Sequence, residues 1–233
     1  MDTLVFGLQL PEDMNSSPLL ELITALPIEK QHRIKRFVHV EDAVRTLSAD
    51  ILSRLLICDQ LGIHNREISF TSNQNGKPLL QGLDSLHFNN SHSGRWVLTA
   101  ISDEPVGVDV ERIRELDLDL ARHCFSEQEY RDLDDLSDDQ TKLDYFYDLW
   151  TLKESYIKAV GLGLSMPLSS FTIRKTRGGI QLQTANAGNS CFFKQYSIDP
   201  QYKISLCAQH EYIHDNLELI SEDELYQRFL KYL

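Results

Sequence analysis

Two short stretches hold the residue types from which a cation-assisted reaction at a phosphate can be built. In Gly107-Val108-Asp109-Val110-Glu111 apolar and acidic residues alternate with the period of a strand, so Asp109 and Glu111 project from one face. In Trp150-Thr151-Leu152-Lys153-Glu154-Ser155-Tyr156-Ile157-Lys158 the pattern is helical. Glu154 and Lys158 stand four apart on one face, with Trp150 one turn above Glu154. Magnesium takes near-octahedral oxygen ligands, commonly one or two carboxylates plus substrate phosphate oxygens. Asp109, Glu111 and Glu154 are therefore candidate metal ligands, and Lys158 a candidate partner of the same phosphate or pyrophosphate. Taken alone, each stretch equally admits a plainer reading. A Glu–Lys pair at i,i+4 is a common solvated contact worth about 0.2–0.5 kcal/mol, and acids at a strand end often just face water.

The elements that must position these groups can be read in outline. Residues 3–10 form an opening strand closed by Pro11. Over 41–61, Val44, Leu47, Ile51 and Leu55 recur at helical spacing, and Gly62 supplies the stop. Arg45 and Thr46 lie in the first turns of that helix, where free backbone N–H groups favour an anion. Runs 96–101 and 106–110 read as strands around Ser102-Asp103-Glu104-Pro105, which suggests a hairpin. A long helix over 139–160 turns Leu143, Phe146, Trp150 and Ile157 inward and ends at Gly161. Strand-like runs follow at 171–174, 179–184, 191–198 and 203–208, and 132–139 reads as an acidic loop.

Composition bounds the class. At 233 residues and 42% hydrophobic content, two similar-sized lobes are as plausible as one large core. No apolar run approaches the ~20 residues a membrane span needs, and Met1-Asp2-Thr3 lacks the basic start of a signal peptide, so a cytoplasmic protein without membrane association is expected. Cys58, Cys124, Cys191 and Cys207 are scattered without a Cys-x-x-Cys pair, which points to reduced, mostly buried thiols. The net charge of −12 is unevenly placed: residues 103–148 hold sixteen acids against five bases, and residues 30–54 hold six bases against three acids. The basic segment, with His32 and His39, could hold phosphates, though any one of its residues is equally a solvated side chain. The acidic balance and the lack of a basic-aromatic stripe disfavour nucleic acid.

Taken together, the two stretches resemble the signatures of the 4′-phosphopantetheinyl transferase superfamily, a Gly-x-Asp-x-Glu strand and a Trp-x-x-Lys-Glu-(Ala/Ser)-x-x-Lys helix, both intact and in order. Asn75-Gly76-Lys77-Pro78, the run from Phe88 to Trp96 and Gly161-Leu162-Gly163-Leu164 add to the likeness, which is closest to the Sfp-type branch. The resemblance implies an α/β (α+β) fold: a pseudo-dimer of two similar lobes, each a small antiparallel sheet packed with a long helix. It implies an N-terminal lobe over 1–105 that contacts coenzyme A phosphates, a C-terminal lobe over 106–233 that carries the acids and the catalytic helix, and a site between them.

The implied reaction moves the 4′-phosphopantetheine arm of coenzyme A to a serine of an apo carrier protein and releases adenosine 3′,5′-bisphosphate. The nucleophile then belongs to the partner, so no Ser/His/Asp set is required here. Carried over position by position, Asp109, Glu111 and Glu154 hold Mg²⁺, with Mn²⁺ as a substitute, and Lys158 meets the pyrophosphate. Glu154 is also the candidate base for the carrier serine, directly or through water. Lys30 and Arg33 match the basic pair near the 3′-phosphate, with Arg33 where lysine is common; Thr46, Lys77, Ser91 and His92 match positions around the nucleotide phosphates. Expected partners are peptidyl or acyl carriers of non-ribosomal peptide, polyketide or fatty-acid synthases. Their docking is expected at 112–125, where Ile113, Leu116, Leu118 and Leu120 accompany Arg112, Arg114 and Arg122; the leucines are equally core. A monomer is expected. The rival readings are a non-catalytic coenzyme A or carrier-binding protein and a Mg²⁺-dependent phosphodiesterase.

Overall fold

The computed structural model describes residues 1–83, 85–185 and 190–233, Leu164 by its backbone alone. In chain order the elements are β1 (Leu4–Gln9), α1 (Ile28–Lys35), α2 (Val40–Leu61), β2 (Phe70–Ser72), β3 (Pro78–Leu80), β4 (His87–Ser93), β5 (Trp96–Ser102) and β6 (Val106–Arg112). The second half adds α3 (Ala121–Cys124), α4 (Glu127–Asp134), α5 (Asp139–Val160), β7 (Phe171–Thr176), β8 (Gly179–Thr184), β9 (Phe192–Tyr196), β10 (Tyr202–Ala208), β11 (Glu218–Ile220) and α6 (Glu222–Leu230).

Two sheets and two long helices form the frame. One sheet runs β11-β1-β5-β4, the other β6-β10-β9. All pairings in them are antiparallel except β1 with β11. Helix α2 packs on β4 and β5, and α5 packs on β6 and β10. Both helices are 22 residues long and both end in a left-handed glycine, Gly62 at φ 65° and Gly161 at φ 74°. This is the expected two-lobe α+β fold. The C-terminal segment breaks its symmetry, because β11 and α6 return to β1 and α2.

The alternation in each strand explains the layering. Trp96, Leu98 and Ala100 of β5 share a buried cluster with Val106, Val108 and Val110 of β6 and Ile204 and Leu206 of β10, so the sheets meet face to face. The hairpin expected across 102–105 is therefore absent. Strand β5 has β1 on one edge and β4 on the other, and β6 pairs with β10; the turn joins two sheets. The hairpin lies one strand earlier, where Gly94 at φ 56° turns β4 into β5. The acidic run 132–139 is also only partly a loop, since α4 continues through Asp134.

Opposite the apolar face of β6 lie Gly107, Asp109 and Glu111. Glycine is required at the first of these positions. A Cβ on Gly107 would stand 2.1 Å from Ser155 O and 2.4 Å from Ala159 N, so only a bare Cα lets α5 lie this close to the strand.

Candidate active site

Strand β4 lies alongside β6, and its side chains bridge the two. The backbone N–H groups of Val108, Val110 and Arg112 donate to Asn89 Oδ1 (2.9 Å), Ser91 Oγ (3.3 Å) and Ser93 Oγ (3.1 Å). The period of two puts Asn89, Ser91 and Ser93 on one face, so short polar side chains on one strand meet alternate N–H groups on the other. The serine hydroxyls donate in turn to the carboxylates: Ser91 Oγ to Asp109 Oδ1 at 2.8 Å, Ser93 Oγ to Glu111 Oε2 at 2.8 Å. The seam between the sheets thus fixes the acids of the first signature.

Helix α5 closes the site from the other side. Lys158 Nζ donates to Asp109 Oδ1 (2.6 Å), Ser91 Oγ (2.9 Å) and Val108 O (3.1 Å). Glu154, one turn earlier, is half-buried and close enough for the Asp109 charge to be felt. Burial first, and the Asp109 charge second, hold both Glu111 and Glu154 above the usual carboxylate range, against the pull of Lys158. Asp109 itself is buried, and its Oδ2 has no hydrogen-bond partner.

These groups line a cavity of about 580 Å³, within the range of small-molecule sites. The first half of the chain supplies Lys30, Arg33, Thr46, Asn90, Ser91 and His92 to its walls, and the second half supplies Asp109, Glu111, Trp150, Glu154 and Lys158. Nine of the ten positions singled out from sequence meet there. Lys77 does not. Its ammonium is bound to backbone carbonyls of β6 and α5, and its neighbour Pro78 lines the cavity instead. His92 sits at the rim with its titration pushed below the usual range for histidine, first by desolvation and then by the Arg45 guanidinium.

Asp50, Trp150 and Asn90 are polar or aromatic lining residues to which the sequence reading gave no site role. Asp50 is buried on α2, ion-paired to Lys30 and bound by Arg54 Nε at 3.0 Å, so it anchors one of the cavity's cations. The i,i+4 spacing of Asp50 and Arg54 was the available signal. Trp150 stacks on Phe146 at 5.7 Å and 19°, and Asn90 donates to Ser53 Oγ at 2.6 Å.

A cation suits this donor set chemically. Asp109, whose Oδ2 is unpartnered, raises the titration of both Glu111 and Glu154, and a divalent ion would relieve the repulsion among the three carboxylates. Among the described residues, no three His, Cys, Asp or Glu side chains are gathered tightly enough to form a metal site as they stand. Substrate phosphate oxygens would complete the shell.

Residues 105–207 match the family described as the 4′-phosphopantetheinyl transferase superfamily, and residues 14–104 match the N-terminal region of 4′-phosphopantetheinyl transferase. The chain is 36% identical over 222 residues to 4′-phosphopantetheinyl transferase Sfp of Bacillus subtilis (strain 168), spanning 95% of this chain and 99% of that one. The chain belongs to the 4′-phosphopantetheinyl transferase superfamily. It is 39% identical over 180 residues to the transferase gsp of Aneurinibacillus migulanus, covering 77% and 75% of the two chains. Among solved structures, a holo-(acyl-carrier-protein) synthase from Bacillus anthracis str. Ames in complex with CoA (3′,5′-ADP) aligns over 44% of this chain and 92% of its own, with 17% identity and a TM-score of 0.38. As a phosphopantetheinyl transferase the protein modifies carrier proteins, so its reacting serine is not its own.

Proposed function

We propose that the donor is coenzyme A, that Mg²⁺ assists the transfer, and that the acceptor is the serine of an apo peptidyl or acyl carrier. The observation that supports this reading is a cavity in which cations from the first half of the chain face carboxylates and Lys158 from the second. Lys30, held by Asp50, and Arg33 receive the 3′-phosphate; Thr46, Ser91, His92 and Lys158 receive the diphosphate. The functional division falls near residue 105: 1–105 grips the nucleotide and 106–233 supplies the acids and the catalytic helix.

In the reaction the carrier serine Oγ bonds to the phosphorus bearing the pantetheine. The bond from that phosphorus to the bridging oxygen breaks, and adenosine 3′,5′-bisphosphate leaves with the electron pair. Lys158 lies where it can meet the charge that grows on the leaving group, already fixed by Ser91, Val108 O and Asp109. Glu154, on the cavity wall one turn before Lys158, accepts the serine proton, directly or through one water. Asp109, Glu111 and Glu154 would hold Mg²⁺, which when bound neutralises diphosphate charge and polarises the phosphorus.

The carrier approaches over the segment after β6. There Arg112 and Arg114 join Arg45 and Arg95 around a second, polar cavity of about 440 Å³ next to the Glu111 end of the seam. Leu116 and Leu118 pack partly into the second lobe, and Leu120 stays exposed. An acidic carrier surface complements those arginines. Carriers of non-ribosomal peptide, polyketide or fatty-acid synthases fit equally, and the protein acts as a cytoplasmic monomer. Among the described residues no helix is long and apolar enough to cross a membrane.

The test is intact-mass spectrometry of an apo peptidyl carrier domain with coenzyme A, Mg²⁺ and the protein. The expected result is a gain of one phosphopantetheine arm, lost with Glu154→Ala. Breakdown of coenzyme A without a carrier would replace this reading by a phosphodiesterase, and no gain on any of several peptidyl and acyl carriers would refute the acceptor class.

A further inference from the structure

The ammonium of Lys77 points away from the cavity and into the end of α5. It donates to Lys158 O at 2.6 Å, to Ala159 O at 3.1 Å and to Val106 O at 3.1 Å. The first two belong to the last turn of α5, whose carbonyls have no partner within the helix. A positive charge there also complements the negative end of the helix dipole.

The turn between β2 and β3 is built to deliver this contact. Asn73 Oδ1 accepts the backbone N–H groups of Asn75 and Lys77, each at 2.9 Å. The amides of Asn73 and Asn75 then donate to Gly161 O at 2.8 and 3.2 Å, so three side chains of one turn converge on four carbonyls. Gly161 is left-handed, and a Cβ on it would stand 3.0 Å from Asn73 Nδ2 and 3.2 Å from Lys77 Cδ, so the turn lies directly on the helix end.

We propose that Lys77, with Asn73 and Asn75, is a positioning clasp that holds the C-terminal turn of α5 and through it sets Lys158 in the active site. Lys77 binds the carbonyl of Lys158 itself, and the Lys158 side chain returns to the cavity to meet Ser91 and Asp109. The clasp crosses from the first half of the chain to the second, so the two walls of the site keep one spacing. Pro78, the next residue, lines the cavity, which places bound nucleotide and helix end on the same turn. The inference uses the coenzyme A reading only in the choice of substrate for its kinetic test.

Two variants test it, Lys77→Met and Asn73→Ala; neither residue lines the cavity. With coenzyme A and an apo carrier, both should lower kcat about 10–100-fold, the scale of a misplacement near 1 Å, while KM for coenzyme A stays within twofold. A tenfold rise in KM with kcat unchanged would mean that Lys77 reaches a phosphate, and would overturn the clasp. Unchanged kcat and KM below the unfolding temperature would reduce it to a stabilising contact and overturn it equally. If Lys77→Met does not fold, Asn73→Ala carries the same comparison. Amide hydrogen exchange over residues 157–161 reads the clasp without any substrate. Exchange about tenfold faster or more in the variants is expected, and unchanged exchange refutes the clasp even if the wild type modifies no carrier, whereas the failure to modify a carrier bears on the donor and acceptor alone.

Discussion

Helix α5 carries two lysines five residues apart, each ion-paired to a buried acid, and the two pairs are built differently. Lys153 and Glu129 are both fully buried: Nζ binds Oε1 at 2.6 Å, Oε2 at 2.7 Å and Phe171 O at 2.7 Å. Glu129 also receives the N–H groups of Ser126 and Ile173, at 2.7 Å each, so every partner in this network is internal. Lys158 and Asp109 share one carboxylate oxygen with Ser91, while Asp109 Oδ2 is left over and Lys158 keeps 26% of its side chain exposed. A saturated pair can only hold the chain together. We read the second pair, which lines the cavity and has an oxygen to spare, as the one that takes part in ligand binding. The family signature contains both lysines, and their surroundings differ: one pair is sealed, the other lines the cavity.

Lys153→Met removes one half of a sealed ion pair and leaves the Glu129 charge without its counterion, a loss on the order of 3–5 kcal/mol. At roughly 2–4 °C per kcal/mol for a chain of this size, Tm should fall by about 6–20 °C. Calorimetry measures that, and a kcat within a few-fold of wild type well below Tm shows that the pair is scaffold. A large loss of kcat in protein that is still folded would merge the two pairs into one functional network.

Asp109→Asn sharpens the other side. The amide oxygen can keep the bonds from Ser91 and Lys158, and repulsion with Glu111 and Glu154 falls, so Tm without metal should hold or rise. Transfer should drop about 10²–10³-fold, the scale of losing one charged group that acts on the transition state, and the rise in Tm on adding Mg²⁺ that is expected of the wild type should vanish. Thermal scans with and without Mg²⁺ check this. Stabilisation equal to that of wild type would remove Asp109 from the ligand set.

The same contrast marks what the sequence could reveal. That Asp109 and Glu111 share one strand face, and Glu154 and Lys158 one helix face, was readable because residue type and spacing within one element decide it, and the chain's local periodicity carries that information. The boundaries of α2 and α5 were readable for the same reason, each ending at a glycine with positive φ. Partners chosen across the fold were not. Glu129 lies 24 residues before Lys153, and nothing local in either position announces the other. Strands β5 and β6 carry the apolar alternation of hairpin partners, yet that pattern does not distinguish strands that pair edge to edge from strands that meet face to face. For Lys77 the sequence supplies a charge in a turn but not its destination, and three carbonyls outcompete the cavity for it. Asp50 reads as an ordinary helix acid until α1 is folded against α2 and Lys30 reaches it.

His92 lines the rim of the cavity and, among the described residues, has no ion-pair partner. Desolvation and the Arg45 guanidinium hold the His92 imidazole below its usual range, so its neutral form dominates at pH 7 in the ligand-free protein. A bound diphosphate favours the charged form, and binding must then take up a proton. The sign follows from that linkage. As pH falls from 7 toward 5, through the ordinary histidine range and into the lowered one, more of the protein carries the charge that the anion wants, and the KM for coenzyme A should decrease a few-fold. His92→Asn removes the titration, so its KM should stay flat over that interval while sitting above the wild-type value at pH 5. Steady-state kinetics at saturating carrier across pH 5–8 resolves the two curves. Parallel curves would mean that His92 does not meet the phosphates and that the nucleotide is gripped by fixed charges such as Lys30 and Arg33 alone.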